Sequence, residues 1–355
     1  MFVNGLCRIP CEGLKFFSHI SRFILGECIK MIIKGNKYLD FDNEVRFNWK
    51  YIFKICLNTI HQVYYKIIYA FIKPRNQTEE NYKYNVSICA FFKDEADYLK
   101  EWIEFHRIVG VDHFYLYNNK SNDNYLDILN KYIRDEIVTL VQWPEPQSQM
   151  KAYQNFFDKY KDETKWVGFI DLDEFVIPNS TNDIYSFLKP FEKNRSSVVI
   201  NWKMMGSSGF IHRDIKNLLT EDFTCSWEKY LDIGKYFFNT RYEYYPDYKY
   251  SGKMHFTWAK VKGIPVPPVN VFDKVYSFNI NPIRNVKLPI QINHYLVKSY
   301  DEYIQKKSKR GGGVHPLGMH DMNYFYEHEM KCQSVDFHAY KYLILLKLRL
   351  MENTK

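Results

Sequence analysis

From Tyr84 onward, short apolar runs alternate with segments of helical periodicity, joined by brief connections. This alternation constrains the fold more than any other feature of the chain. Tyr84–Phe92 (YNVSICAFF) reads as a buried strand. Glu95–Gly110 follows, with Leu99, Trp102, Ile103 and His106 at helical spacing and Gly110 as a stop. His113–Asn118 is a second strand, Tyr125–Ile133 a short helix, and Ile137–Val141 a third strand. Ser148–Tyr160 is a helix and Trp166–Asp171 a fourth strand. Strands separated by helices place the chain in the α/β class, with a mostly parallel sheet flanked by helices. Ligands of such sheets sit outside the carboxyl ends of the strands. Functional residues are therefore expected just after each apolar run.

The run Asp171-Leu172-Asp173-Glu174 meets that expectation. Strand residues alternate sides, so Asp171 and Asp173 point the same way at a strand end. Carboxylates converging there repel one another unless a cation joins them. A hard divalent ion takes oxygen ligands and can bridge to a diphosphate. The competing reading is a solvated turn. The apolar strand before the cluster and Phe175-Val176-Ile177-Pro178 after it favour a site.

The first 80 residues are of another kind. Residues 1–75 carry 12 Lys and Arg against 5 Asp and Glu, so they hold +7 of the formal net charge of +8. Basicity confined to an extension, with a near-neutral body, argues against a nucleic-acid partner. Leu14–Ile33 and Trp49–Lys73 read as helices. In the second, Ile52, Ile55, Cys56, Ile60, Val63, Ile67, Ile68 and Phe71 recur at helical spacing beside Lys50, Lys54, Lys66 and Lys73. A basic helix with an apolar face suits an anionic membrane surface. Packing on the body explains the same pattern equally well. Pro74 and Arg75–Lys83 read as a linker, and Tyr340–Met351 as a further basic, apolar helix. No run reaches the 18 apolar residues of a spanning helix, and no secretory signal is read. The seven cysteines are scattered, without a C-x-x-C pair. They fit a reducing compartment, so the expected location is cytoplasmic, peripheral on the inner face of the membrane.

The order of several motifs resembles glycosyltransferase family 92 and its bacterial relatives. It runs from Lys93–Trp102 (KDEADYLKEW) through Ile103–His113 to Asp123, then to DLDEF at Asp171–Phe175. Trp202 with Gly206-Ser207-Ser208-Gly209, Glu221, Asn293-His294-Tyr295, Lys298-Ser299 and Glu302 continue it. The resemblance covers residues 84–350 as a catalytic domain and leaves 1–80 outside as a helical extension. It implies a GT-A fold: a Rossmann-like sheet that binds a nucleotide-sugar, with Mn²⁺ or Mg²⁺ held at the D-x-D. It further implies transfer, with inversion, from a UDP-hexose to a hydroxyl of a glycan or lipid-linked saccharide, with UDP-galactose favoured. Synthesis of a bacterial surface polysaccharide or lipopolysaccharide is the expected setting.

Roles follow from that resemblance. A divalent ion offsets the charge of a departing nucleoside diphosphate. Asp173 is expected as a direct metal ligand, and Asp171 as a contact to ribose or, through water, to metal. His294 is a further metal or diphosphate contact, or a satisfied buried imidazole; as a ligand it leans toward Mn²⁺. Lys298 is placed to meet the diphosphate. Asp94, Glu95 and Asp123 would lie near base and ribose, although Asp123 also fits turn chemistry. Asp94 stands where relatives usually carry Asn. Gln149 would help to hold the donor. Inversion needs a general base; Glu221 matches the family and Asp222 the wider GT-A pattern, and either also suits an ion pair or a helix cap. Lys306–Gly313 reads as a basic loop, and His328 as an acceptor or metal contact or a surface helix residue. The alternative function is a non-catalytic sugar-nucleotide or glycan-binding protein.

Overall fold

The computed structural model describes residues 60, 62–71, 81–252, 254–276, 287–307 and 321–352. The expected helix Leu14–Ile33, most of Trp49–Lys73, residues 74–80 of the linker and all but the start of Lys306–Gly313 lie outside them.

Four strands form the regular half of the main sheet: β1 (Tyr84–Phe92), β2 (His113–Asn118), β3 (Val138–Gln142) and β4 (Thr164–Phe169). They lie in the order β3-β2-β1-β4, all parallel. The runs of β1, β2 and β4 are buried because helices cover both faces of a parallel sheet, whereas β3, at the sheet edge, is mostly half-exposed. The helices Ala96–Ile108, Tyr125–Arg134 and Gln149–Lys159 make the crossovers. Trp102, Phe105, Phe156 and Trp166 are fully buried between the layers.

The sheet then continues in mixed directions. β5 (Glu174–Pro178), β6 (Ser197–Met204), β7 (Cys225–Ser226) and β8 (Gly234–Asn239) follow in the chain. Next come β9 (Glu243–Tyr245), β10 (Trp258–Val261), β11 (Ile264–Val266), β12 (Val269–Asn270), β13 (Ile290–His294) and β14 (Ser334–Val335). In space the main sheet runs β3-β2-β1-β4-β8-β6-β13-β5, with β12 on β6. β8 is antiparallel to both β4 and β6, and β5 is antiparallel to β13. The mostly parallel α/β expectation holds, with β8 and β5 as reversed strands.

Residues beyond the main sheet pack on the same body. The C-terminal helix Leu343–Glu352 lies on Ala96–Ile108, with Arg349 3.7 Å from the buried Glu104. The helix at 62–71 also docks. Tyr69 is buried and donates to the Pro267 carbonyl at 2.6 Å, and Gln62 bonds both backbone groups of Val275 at 2.9 Å. Its other side exposes Val63, Tyr64, Ile67 and Phe71, in line with Ile60.

Candidate functional site

The site grows from strand register. Glu174 of β5 pairs with His294 of β13, and His294 pairs with Met204 of β6. Residues opposite one another share a sheet face, and so do residues two apart. Glu174, His294 and Trp202 therefore line one face. Lys235 of β8 joins them, because its partner Ile200 is two residues before Trp202.

Two interlocked clusters result. In one, Lys235 is buried and its ammonium lies 2.7 Å from Asp171 Oδ2 and 3.9 Å from Glu174 Oε1. Gln149 donates to Asp171 Oδ1 at 2.9 Å and to the Tyr153 hydroxyl at 2.7 Å. Burial works against the Lys235 charge, but Asp171 and Glu174 outweigh it and raise its pKa above the ordinary lysine value. In the other, Asp173, Glu174 and His294 bring one ligand atom each within 4.8 Å of one another, with His294 Nε2 3.6 Å from Asp173. Glu174 is fully buried, and burial pushes its carboxyl well above the usual range although Lys235 opposes the shift. Its Oε1 has no hydrogen-bond partner among the described residues. Two carboxylates and an imidazole with an unsatisfied buried oxygen are a donor set that suits a divalent cation.

The expected residues separate on this map. Asp173 and His294 converge as anticipated, and Glu174 completes their triad. Asp171 instead has both oxygens engaged, by Gln149 and Lys235. Gln149 thus touches the acidic cluster itself.

Glu95 and Lys298 also meet, 3.7 Å apart, and the Lys298 ammonium lies 3.7 Å from the centre of the Tyr98 ring. The Tyr98 hydroxyl donates to Glu302, whose carboxylate lies 3.5 Å from Arg213. Asp94 and Asp123 join the loops after β1 and β2. Asp94 adopts φ +49 and accepts from the Asn122 N–H at 2.6 Å. Asp and Asn tolerate that left-handed conformation better than other residues with a Cβ, so the Asn-to-Asp departure suits the backbone. Asp123 Oδ2 accepts from the Ala96 N–H at 2.8 Å and so caps the helix Ala96–Ile108.

The two candidate bases point to different places. Glu221 forms a 2.5 Å ion pair with Lys347 on the C-terminal helix. Asp222 is half-buried, and burial raises its pKa while Arg213 and Asn217 oppose the shift. Through Arg213 it is continuous with the Tyr98–Glu302–Lys298 group. Both sit on a short turn of helix, Leu219–Asp222, whose first N–H groups are capped by the buried Glu101 at 2.7 and 3.0 Å.

The Gly206–Gly209 loop leaves the end of β6 and is fixed by Glu329, which accepts from the Ser207 N–H and hydroxyl at 2.9 and 2.7 Å. Gly206 is required there, because a Cβ would collide with the Cys332 sulfur. His255 stacks edge-on against Trp202 at 5.1 Å, and burial lowers its pKa to about 4. Lys235 and His255 were missed from sequence, and Glu174 was read only as part of the acidic run.

An acidic centre with an imidazole and a buried lysine thus lies at the carboxyl edge of this mostly parallel α/β sheet. The chain belongs to glycosyltransferase family 92, whose model matches residues 82–310. A family 92 protein of Oryza sativa subsp. japonica is 32% identical over 94 residues, which cover 26% of this chain and 16% of that protein. One of Ricinus communis is 23% identical over 171 residues, covering 47% of this chain and 31% of its own length. The chain thus aligns with less than a third of the length of these plant relatives. The crystal structure of S. aureus TarS 1–349 in complex with UDP-GlcNAc overlaps with a TM-score of 0.29 at 16% identity, covering 37% of each chain. That of TarS 1–349 alone gives 0.30 at 14%, covering 44% of this chain and 47% of its own.

Proposed function

We propose that this chain transfers a sugar from a nucleotide-sugar, a UDP-hexose with UDP-galactose favoured, to a hydroxyl of a glycan or lipid-linked saccharide. The observation that carries the reading is the convergence of Asp173, Glu174 and His294 beside the Lys235-bound Asp171 in a family 92 chain. Asp173, Glu174 and His294 would hold Mn²⁺ or Mg²⁺, which supplies charge compensation for the leaving diphosphate. Gln149 and Lys235 fix the rotamer of Asp171 for contact with the ribose or with metal-bound water. Lys298, held between Glu95 and Tyr98, is set to meet a phosphate. Asp222 is the better general base of the acidic pair. Burial raises its proton affinity, which strengthens it as a base, whereas Glu221 is engaged with Lys347. In an inverting displacement Asp222 takes the acceptor's hydroxyl proton as its oxygen attacks the anomeric carbon and UDP leaves from the opposite face.

The exposed stripe Ile60, Val63, Tyr64, Ile67 and Phe71, with Lys66 beside it, would lie on an anionic membrane surface near a lipid-linked acceptor. No helix among the described residues is long and apolar enough to cross a membrane.

The test is UDP release from a panel of UDP-sugars, with and without Mn²⁺, for the wild type and Asp173→Asn. Metal-dependent turnover of one sugar donor, lost in the variant, supports the reading. UDP binding without turnover on any acceptor favours the non-catalytic alternative. Absence of UDP binding overturns both.

A further inference from the structure

A second group of metal-ligating side chains lies at the end of the helix Met322–Met330 and in the turn beyond it. His328, Glu329 and Cys332 each bring one ligand atom within 4.8 Å of the other two, and they share no member with Asp173, Glu174 and His294. Their spacing produces the convergence. Residues three and four apart are neighbours on a helix, so Cys332 meets both Glu329 and His328. The Cys332 N–H closes on the Glu329 carbonyl at 2.9 Å and carries the turn past Met330. His328 is buried, while Glu329 and Cys332 are half-buried, so an ion can reach them from solvent.

The separations inside the group suit an ion better than hydrogen bonds. His328 Nδ1 lies 3.7 Å from Glu329 Oε1, beyond hydrogen-bond reach. It lies 3.9 Å from the Cys332 sulfur, at the limit of a thiol contact. Around a tetrahedral Zn²⁺, with bonds of about 2.0–2.2 Å to nitrogen and oxygen and about 2.3 Å to sulfur, ligand atoms stand about 3.3–3.6 Å apart. The observed gaps exceed these by a margin that small side-chain rotations close. The ligands are also held in place. The His328 ring packs beside Trp227 with centroids 5.0 Å apart, and Trp227 Nε1 donates to the His328 carbonyl at 3.0 Å. Glu329 takes two hydrogen bonds from Ser207, and a carboxylate has about four lone-pair sites, so it keeps capacity for a cation. The Cys332 sulfur contacts the His328 carbonyl at 3.5 Å. Burial pushes the free thiol up to about 12; an ion that binds takes the thiolate, and the proton passes to water. Sulfur, imidazole and carboxylate together favour Zn²⁺ over a hard ion such as Mg²⁺. Three protein ligands leave the fourth position to water.

We propose that His328, Glu329 and Cys332 bind a Zn²⁺ ion, separate from the ion at Asp173, that fastens the end of this helix to the loop Gly206–Gly209. Glu329 grips Ser207, and both the Cys332 sulfur and Glu329 Oε1 flank the spot where a Cβ on Gly206 would stand. The loop begins one residue after Met205, whose N–H bonds the His294 carbonyl at 3.0 Å. The ion thus steadies the loop that borders the candidate centre. All three ligands lie beyond the residues 82–310 matched by the family model, so the site belongs to a part of the chain the family pattern does not describe. Nothing in it depends on the identity of the sugar donor.

The experiment strips the full chain of metal with a chelator and titrates it with Co²⁺, a coloured substitute for Zn²⁺, and then with Zn²⁺ in competition. Wild type, Cys332→Ser, His328→Phe and Asp173→Asn are compared. The wild type should show a thiolate-to-cobalt charge-transfer band that Zn²⁺ removes. Cys332→Ser should abolish the band. Cys332→Ser and His328→Phe should each weaken Zn²⁺ by at least the roughly 10- to 100-fold that loss of an outer partner costs a metal site. Asp173→Asn should keep both the band and the affinity. A wild type without the band overturns the proposal. A band that survives Cys332→Ser belongs to another of the seven cysteines and overturns it too. A band lost in Asp173→Asn would make the two groups one centre and overturn their separation. Should His328→Phe fail to fold, the near-isosteric Cys332→Ser carries the test alone.

Discussion

The two halves of the main sheet are built on different terms. In β3-β2-β1-β4 every strand runs one way, and polar groups at the strand ends are spent on structure. Asp94, Ser121, Asn122 and Asp123 bond one another's loops. Buried His106 is held by the Trp102 carbonyl at 2.9 Å and the Val176 N–H at 3.2 Å. In β8-β6-β13-β5, β6 and β13 run parallel between the reversed β8 and β5, and the strands carry a buried lysine, a buried glutamate and two ring nitrogens without partners among the described residues, where the regular half has one such nitrogen, on Trp166. The first half uses most of the polar residues at its strand ends to hold the fold; the second buries a lysine, a glutamate and a histidine together on one sheet face. On the proposed reading the chemistry falls in the second, where groups are held out of water.

Lys235→Met tests that contrast most severely. It leaves Asp171 and Glu174 without their buried counter-charge and should cost about 3–5 kcal/mol in denaturant unfolding. An unchanged midpoint would erase the distinction between the halves. Asp173→Asn should lower transfer by roughly 100- to 1,000-fold in a UDP-release assay, with little change in unfolding. A variant that unfolds early but turns over normally would move Asp173 to the structural side.

The regular half should be sensitive to acid. Burial lowers the pKa of His106 to about 3 and of His113 to about 4. The unfolded chain binds protons at these imidazoles from about pH 6.5 downward, while the folded chain does not. Their contribution is therefore complete above pH 6.5 and is lost as pH falls toward 4 and 3. The loss is about 1.4 kcal/mol per imidazole per pH unit at most. Melting temperatures that stay flat from pH 7 to pH 5 would refute this. Asp123→Ala removes the cap on Ala96–Ile108 and should cost about 0.5–2 kcal/mol, with UDP affinity kept if Asp123 serves only the loop. The smallest effect is expected at Glu221→Gln, whose half-exposed pair with Lys347 is worth about 0.2–1 kcal/mol. Asp222→Asn, by contrast, should abolish most transfer. The reverse ranking of rates would make Glu221 the base.

Much of the regular half was legible. Tyr84–Phe92 and His113–Asn118 are strands as read, because a strand buried on both faces must be a continuous apolar run. Asp173 and His294 were also readable, each at the end of such a run. Lys235 was not. It sits in Gly-Lys-Tyr-Phe-Phe-Asn, and nothing local marks it as buried, since Asp171 lies 64 positions away. The reversed β8 was hidden for the same reason: strand direction is fixed by partners, and its partners β4 and β6 come earlier in the chain. Glu174 was legible only as part of the acidic run, and its pairing with His294 is what places it inside. The separation between Glu221 and Asp222 also depended on distant residues, Lys347 for one and Arg213 for the other.

The position of β13 bears on how the molecule comes together. It is among the last strands in the chain, yet it lies inside the sheet, paired to β6 on one side and β5 on the other. Until it inserts, both neighbours present open edges of the kind that invite pairing with other chains. Contacts between positions so far apart form slowly. The nascent chain can therefore fold its regular half early, but it must shield two unfinished edges until His294 arrives. The same insertion that completes the sheet also brings His294 to Asp173, so the centre assembles only when the barrier to misassembly has been passed.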